Sequence, residues 1–242
     1  MQTTLHQQPV SYTAADHQVW SILYTRQLNA IRQYAYKNFE TGLSQLNFTA
    51  DRIPDFGETN RLLETLTGWK IYAVPGLIPN HTFFKLMVYK RFGATTWIRK
   101  MEELDYLEEP DMFHDVFGHV PLLTDPAITG FLLGLAHIAE RYLDQEPVIE
   151  AIARLYWYTI EFGLVQEGEE IKIYGAGILS SIGETKFALS EEADRRPFNL
   201  EEVLQTPYIK DKFQEQYFVL NFLGQLKEIL KDLDQYFLQY SC

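Results

Sequence analysis

The stretch DMFHDVFGHVPLL, Asp111–Leu123, sets two imidazoles, His114 and His119, five residues apart beside Gly118. Two neutral imidazoles form a nitrogen pair suited to a divalent transition metal, and one added carboxylate completes a 2-His-1-carboxylate triad that leaves coordination positions open. On a continuous α-helix, at about 100° per residue, five residues turn through roughly 500°, so the second ring sits about 140° from the first. Convergence then requires the helix to end between the histidines, and Gly118 followed by Val120-Pro121 is the helix-stop chemistry that would end it. The alternative is a pair of satisfied histidines in an aromatic core.

Upstream, Pro110 suits the first turn of the short helix that bears His114. ATTWIRK, residues 94–100, reads as a short strand ending at Arg99, followed by the acidic loop EELDYLEEPD, residues 102–111. Arg99 has two readings: an ion pair with a carboxylate of that loop, or a bidentate clamp for a substrate carboxylate. HTFFKLMVYKRF, residues 81–92, reads as a helix with Phe83, Phe84 and Met87 apolar. Before it, WKIYAVPGLIPN reads as a strand, Ile71–Val74, broken by Pro75-Gly76 and Pro79. Gly76–Ile78 is left as a rigid loop with free backbone groups, a common place for ligand contacts. Farther back, Thr13 and Asp16 form a capping-box-like start to a long amphipathic helix (Trp20, Leu23, Tyr24, Leu28, Ile31, Tyr34), and a second helix is expected from about Glu58 to Thr67.

Downstream, Asp125-Pro126 starts an apolar helix reaching about Leu143, with His137 structural within it. Pro147 opens PVIEAIARLYWYTIEFG, expected to run as one helix to near Gly163. Its end places Glu161 among Tyr156, Trp157, Ile160 and Phe162, where an unpartnered carboxylate costs several kcal/mol. A metal would supply the missing cation; Arg154 or Arg99 would also serve. In GAGILSSIGET, residues 175–185, two glycines let the backbone approach something closely and two serines can bond a ligand or a metal-bound histidine, although a tight turn would use the same residues. LEEVLQ capped by Asn199, a strand near Gln216–Leu220 and a helix from Asn221 to about Gln239 read as covering structure.

At 242 residues with 46% hydrophobic content, the chain can bury a substantial core, and with no linker or repeat a single domain is the simpler expectation. A formal charge of −12 argues against a phosphate-backbone partner, because nucleic-acid affinity rests on clustered Lys and Arg. The lone Cys242 excludes an internal disulfide framework and fits a reducing compartment. No apolar run reaches about 18 residues, and MQTTLHQQPV lacks the pattern of an export signal, so neither membrane nor export is expected and the cytoplasm is the expected location.

In order and spacing, DMFHDVFGHVPL, LYWYTIEFGLV and IYGAGILSS resemble the tetrahydropterin-dependent aromatic amino acid hydroxylases, most closely the short bacterial phenylalanine 4-hydroxylases. The resemblance runs from YTAADHQVW at Tyr12 through VPGLIP and TTWIR to QYFVL, nearly the whole chain. It implies a mainly α fold with small β elements, one catalytic domain across the chain, and a helical basket around a non-haem iron. The implied iron ligands are His114, His119 and Glu161. The implied pterin contacts are Gly76, Leu77 and Ile78, a stacking face on Phe83, and Asp115 and Tyr156. On the substrate side the resemblance implies Arg99 on the amino acid carboxylate with Asp111 beside it. Leu107, Pro110, His114, Trp157 and Gly177 would surround the ring, and Ser180 would support a ligand from behind. Fe(II) and a tetrahydropterin are the implied cofactors, with O2 as co-substrate; they carry the hard chemistry while the chain supplies orientation and a dry pocket.

The match departs from the animal members, whose N-terminal regulatory domain and C-terminal oligomerisation helix have no counterpart here, so a monomer is expected. Leu107 stands where animal phenylalanine hydroxylases carry a small hydroxylated residue. Trp157 stands where tryptophan hydroxylases tend to have Phe, and the larger indole leaves less room for a bicyclic substrate, which favours L-phenylalanine. The competing readings are a tryptophan hydroxylase of the same family, a zinc hydrolase on the same ligands, and a non-catalytic helical binding protein, which would leave Glu161 unexplained.

Overall fold

The computed structural model describes residues 11–105, 109–208 and 212–240. Leu107, Cys242 and the stretch MQTTLHQQPV lie outside the described residues. Thr13 caps α1 (Ala14–Tyr34) reciprocally: its Oγ accepts from the Asp16 N–H, and its own N–H donates to Asp16 Oδ2 at 2.7 Å. Aspartate thus fills the role that Glu or Gln takes in the usual capping box. α2 (Lys37–Gln45) has no counterpart among the expected elements, because its buried pair Phe39 and Leu43 spans little more than one turn. α3 (Phe56–Leu66) is capped by Asp55, starts two residues before the expected Glu58, and ends before Gly68 at φ +76°.

β1 (Lys70–Val74) and β2 (Arg91–Thr95) pair in parallel across α4 (Asn80–Val88). The expected strand over residues 94–100 therefore lies too late, and the expected helix over 81–92 runs too long. Lys90 at φ 54° breaks the helix, and register with β1 ends the pairing at Val74↔Thr95, where Pro75 begins the loop. A short 3₁₀ turn, Met101–Glu103, follows.

The helix over Phe113–His119 does not stop between the histidines. It is a π-helix, whose i→i+5 hydrogen-bond pattern stacks residues five apart over one another. The convergence assigned to a helix stop at Gly118 comes from this wider winding, and the chain continues into a 3₁₀ turn at Val120–Thr124. α5 (Pro126–Glu140), capped by Asp125, buries Ile128, Phe131, Leu132 and Leu135, while His137 lies half-exposed beside Glu140. α6 (Glu146–Tyr156) gives way to a second π segment, Trp157–Glu161, so the single helix expected to Gly163 is interrupted. The Phe162 N–H reaches the Trp157 carbonyl at 2.8 Å, five residues back.

β3 (Leu164–Glu167) and β4 (Glu170–Ile173) form an antiparallel hairpin. GAGILSSIGET is two short helices, α7 (Ala176–Leu179) and α8 (Ile182–Ala188), the second capped by Ser181. Then come β5 (Asp194–Pro197), α9 (Leu200–Gln205) capped by Asn199, β6 (Gln216–Leu220) and α10 (Gln225–Tyr240), which begins four residues after the expected Asn221. The second sheet has the order β4-β3-β6-β5, with β6 parallel to both neighbours. Among the described residues the fold is thus mainly helical, with two small sheets, as expected.

Buried apolar side chains from Val19 to Phe237 form one contiguous cluster. At its centre Phe113 and Phe117 stack at 4.6 Å, and Trp20 and Tyr24 of α1 meet them edge-on at 5.4 and 5.3 Å. Each such pair adds about 0.5–1.5 kcal/mol beyond its area burial, so α1 holds the first π segment firmly from behind. Among the described residues no single helix is long and apolar enough to cross a membrane.

Candidate metal centre and substrate cavity

The two π segments bring His114, His119 and Glu161 together. His119 Nε2 lies 3.2 Å from His114 Nε2 and 3.1 Å from Glu161 Oε1, and His114 Nε2 lies 3.5 Å from Glu161 Oε2. One ion bonded at about 2.1 Å to three ligands at right angles separates its donors by about 3 Å, so this set fits a single divalent ion. The Ser180 hydroxyl donates to the Ala176 carbonyl at 2.8 Å and therefore accepts from His114 Nδ1 at 2.9 Å. That places the His114 proton on Nδ1 and turns the Nε2 lone pair toward the other two ligands.

Burial alone would push the Glu161 carboxyl up, but the His119 and His114 imidazoles and the Tyr156 hydroxyl outweigh it and hold the group at about 2. Burial lowers His114 against the pull of Glu161. The triad therefore presents a carboxylate and a neutral imidazole, the protonation states that bind a metal. Arg154 pairs instead with Glu150 and the Leu204 carbonyl, and Arg99 with Asp111, so neither arginine neutralises Glu161.

α7 fits between the π segments. A Cβ on Gly118 would lie 2.8 Å from the Ala176 carbonyl oxygen, and Cβ atoms on Gly175 and Gly177 would lie 2.5 and 3.0 Å from the Glu161 carbonyl. The close approach that the GAG tripeptide permits is thus to the backbone of the triad itself.

A cavity of about 640 Å³ opens over the triad. A model of the biopterin-dependent aromatic amino acid hydroxylases matches residues 4–240. The chain belongs to this family. It is 45% identical to the phenylalanine-4-hydroxylase of Caulobacter vibrioides over 93% of this chain and 77% of that one. Its fold is similar to that of Chromobacterium violaceum phenylalanine hydroxylase with bound iron(III) and 7,8-dihydrobiopterin (TM-score 0.88, 42% identity, 94% of this chain and 84% of that one). It is also similar to the cold-active phenylalanine hydroxylase of Colwellia psychrerythraea (TM-score 0.89, 38% identity, 95% and 89% of the chains).

Gly76, Leu77, Ile78, Phe83, Asp115 and Tyr156 all border the hydroxylase cavity. Phe83 meets Tyr156 edge-on at 5.0 Å, joining the β1–α4 loop to α6. Asp115 is buried, and its Oδ2 accepts the Thr95 N–H at 2.7 Å, tying the first π segment to the end of β2. Burial raises its carboxyl, partly offset by His114 and the Thr95 bond. Arg99, Pro110, Trp157, Gly177 and Ser180 border the cavity too. Asp111 does not: it is wholly buried and lies behind Arg99 and His114, bonding the Arg99 side chain and the His114 backbone N–H.

Thr95, Glu184, Tyr208 and Gln214 also line the cavity and were not foreseen. Glu184 lies inside GAGILSSIGET, and its burial is the clue that served for Glu161, but its sequence neighbours are not uniformly apolar. Tyr208 and Gln214 come from the segment before β6, where no local pattern marks a site.

Proposed function

We propose that this protein is a non-haem Fe(II)-, tetrahydropterin- and O2-dependent monooxygenase that hydroxylates L-phenylalanine to L-tyrosine, working as one catalytic domain. The observation that carries the proposal is the triad, with two imidazole nitrogens and the Glu161 carboxylate oxygens at 3.1–3.5 Å from one another beneath a largely apolar cavity. His114, His119 and Glu161 hold the iron, and Ser180 fixes the His114 tautomer. When bound, iron and reduced pterin together supply the activation of O2. The chain contributes position. Gly76, Leu77 and Ile78 offer backbone groups to the pterin, Phe83 offers a ring face, and Asp115 and Tyr156 close that side. Arg99 receives the amino acid carboxylate, while Pro110, His114, Trp157 and Gly177 confine the ring.

Trp157 supports phenylalanine as the substrate. Its indole packs with Tyr208 (4.4 Å, 20°) and Phe162 (4.7 Å, 34°) into a broad wall that narrows the space for a second fused ring. Product analysis on anaerobically loaded Fe(II) protein, given tetrahydropterin, O2 and each aromatic amino acid in turn, should yield tyrosine from phenylalanine as the main product. Hydroxytryptophan as the main product, or no pterin-dependent product, would overturn the proposal.

We further propose a monomer in the cytoplasm. The apolar face of α10 is spent inside the chain, where Leu226, Ile229, Leu233 and Phe237 are buried and Leu230 packs over Gly134 of α5, so it does not remain for helix association. Ferrous iron and reduced pterin suit a reducing compartment. A stable tetramer in sedimentation would contradict the monomer.

A further inference from the structure

We infer that Gln214 is a positioning residue that sets amino acid selectivity by fixing the Trp157 indole. The inference rests on the proposed phenylalanine hydroxylation. The Trp157 Nε1–H donates to Gln214 Oε1 at 2.9 Å. Tyr208 stacks on the indole and Phe162 packs against it at a tilt, and ring contacts of this kind only weakly resist sliding in the indole plane. The edge hydrogen bond fixes that remaining freedom, and with it the distance of the wall from the triad.

Gln214 is held for this task. It is buried, and its amide nitrogen lies 3.4 Å from the Lys212 carbonyl, which turns the amide oxygen toward Trp157. Its backbone N–H donates to Glu184 Oε1 at 3.1 Å, and the Tyr217 hydroxyl bonds the same oxygen. Next to it Phe213 stacks on Phe187 of α8 at 5.3 Å. The chain from α8 through Glu184 and Gln214 to Trp157 ties the wall of the cavity to an element outside the π segment that carries Trp157 and Glu161.

Gln214→Met removes the acceptor at similar length, and Gln214→Asn withdraws it by one methylene. For Met and Asn, the ratio of kcat/KM for phenylalanine over tryptophan should fall roughly three- to tenfold, mainly through a raised phenylalanine KM, with pterin KM and iron content unchanged. Anaerobic calorimetry of phenylalanine and tryptophan binding to the iron-loaded proteins should show the same change without turnover. An unchanged ratio in whichever of the Met and Asn variants folds would overturn the role. Wild-type protein that makes no tyrosine from phenylalanine would instead overturn the proposed reaction itself.

Discussion

Arg99 and Asp111 form a bidentate pair, Nε to Oδ2 and Nη2 to Oδ1, both at 2.9 Å, with the carboxylate wholly buried. An ion pair with the acidic loop and a substrate clamp thus cease to be alternatives. Two of the five guanidinium donors orient the group, and the others are left for a ligand carboxylate at the cavity wall. Arg99→Lys should do two things at once. Loss of the fork should raise the phenylalanine KM by roughly ten- to a hundredfold, the equivalent of about 1.5–3 kcal/mol, and a poorer partner for Asp111 should lower the melting temperature. Both are measurable on one preparation, and an unchanged KM would remove the clamp.

Asp111→Ala is expected to be the more damaging change. Asp111 also accepts the Arg99 and His114 backbone N–H groups, at 2.9 and 3.1 Å, so the same carboxylate holds the arginine proposed to take the substrate carboxylate and the start of the helix that bears His114 and His119. Its removal leaves a part-buried guanidinium without its partner, at a cost of up to about 3–5 kcal/mol. Chemical denaturation should show the loss, together with weaker iron retention.

The proposed metal ligands and their support should separate cleanly. Alanine at His114, His119 or Glu161 leaves two donors and should remove most iron and nearly all hydroxylation. Ser180→Ala keeps all three donors but frees the His114 tautomer, and should weaken iron binding by about 10–100-fold. Competition against a chelator measures both; equal affinity in Ser180→Ala and wild type would show that the hydroxyl does not tune the site.

Glu184 makes a pH prediction. Burial raises its carboxyl above the usual 4.5, against the Tyr217 and Gln214 hydrogen bonds. The folded state therefore holds the proton more tightly than the unfolded chain. The resulting stability is fully present below about 4.5 and is lost as pH rises through the folded value. Glu184→Gln keeps an oxygen acceptor and removes the titration. Its melting temperature relative to wild type should rise between pH 4 and pH 7; a difference that is flat or falling with pH would contradict this.

Much of this was legible in the residues. Thr13, Asp125 and Asn199 announce their helices because a capping side chain needs only local sequence. Glu161 stood out because a carboxylate among aromatic groups demands a partner wherever the chain goes. What stayed hidden depends on winding or on distant partners. The spacing of His114 and His119 is incompatible with convergence on an α-helix, and the π-helix that resolves it has no propensity signal comparable to a helix stop. β2 is placed by register with β1, and Gln214 by Glu184, thirty residues earlier in the chain. Such contacts have no local signature.

Gly118 provides the last test, because the helix-stop reading and the observed packing differ in what a methyl group there would do. If the glycine served only to end a helix, alanine would be tolerated in a π segment that continues through this position, since Gly118 has no positive φ that demands glycine. In the fold observed, the new Cβ would lie 2.8 Å from the Ala176 carbonyl oxygen and 3.4 Å from its carbon and Cβ. Backbone of a packed helix cannot move aside cheaply, so α7 must retreat, carrying Ser180 away from His114 and Gly177 from Glu161. Gly118→Ala should therefore lower the melting temperature and, in the protein that remains folded, weaken iron binding at least as much as Ser180→Ala. Denaturation midpoints and chelator competition on the two variants side by side measure this. Wild-type iron affinity in a folded Gly118→Ala protein would show that α7 is not what holds the two π segments in register.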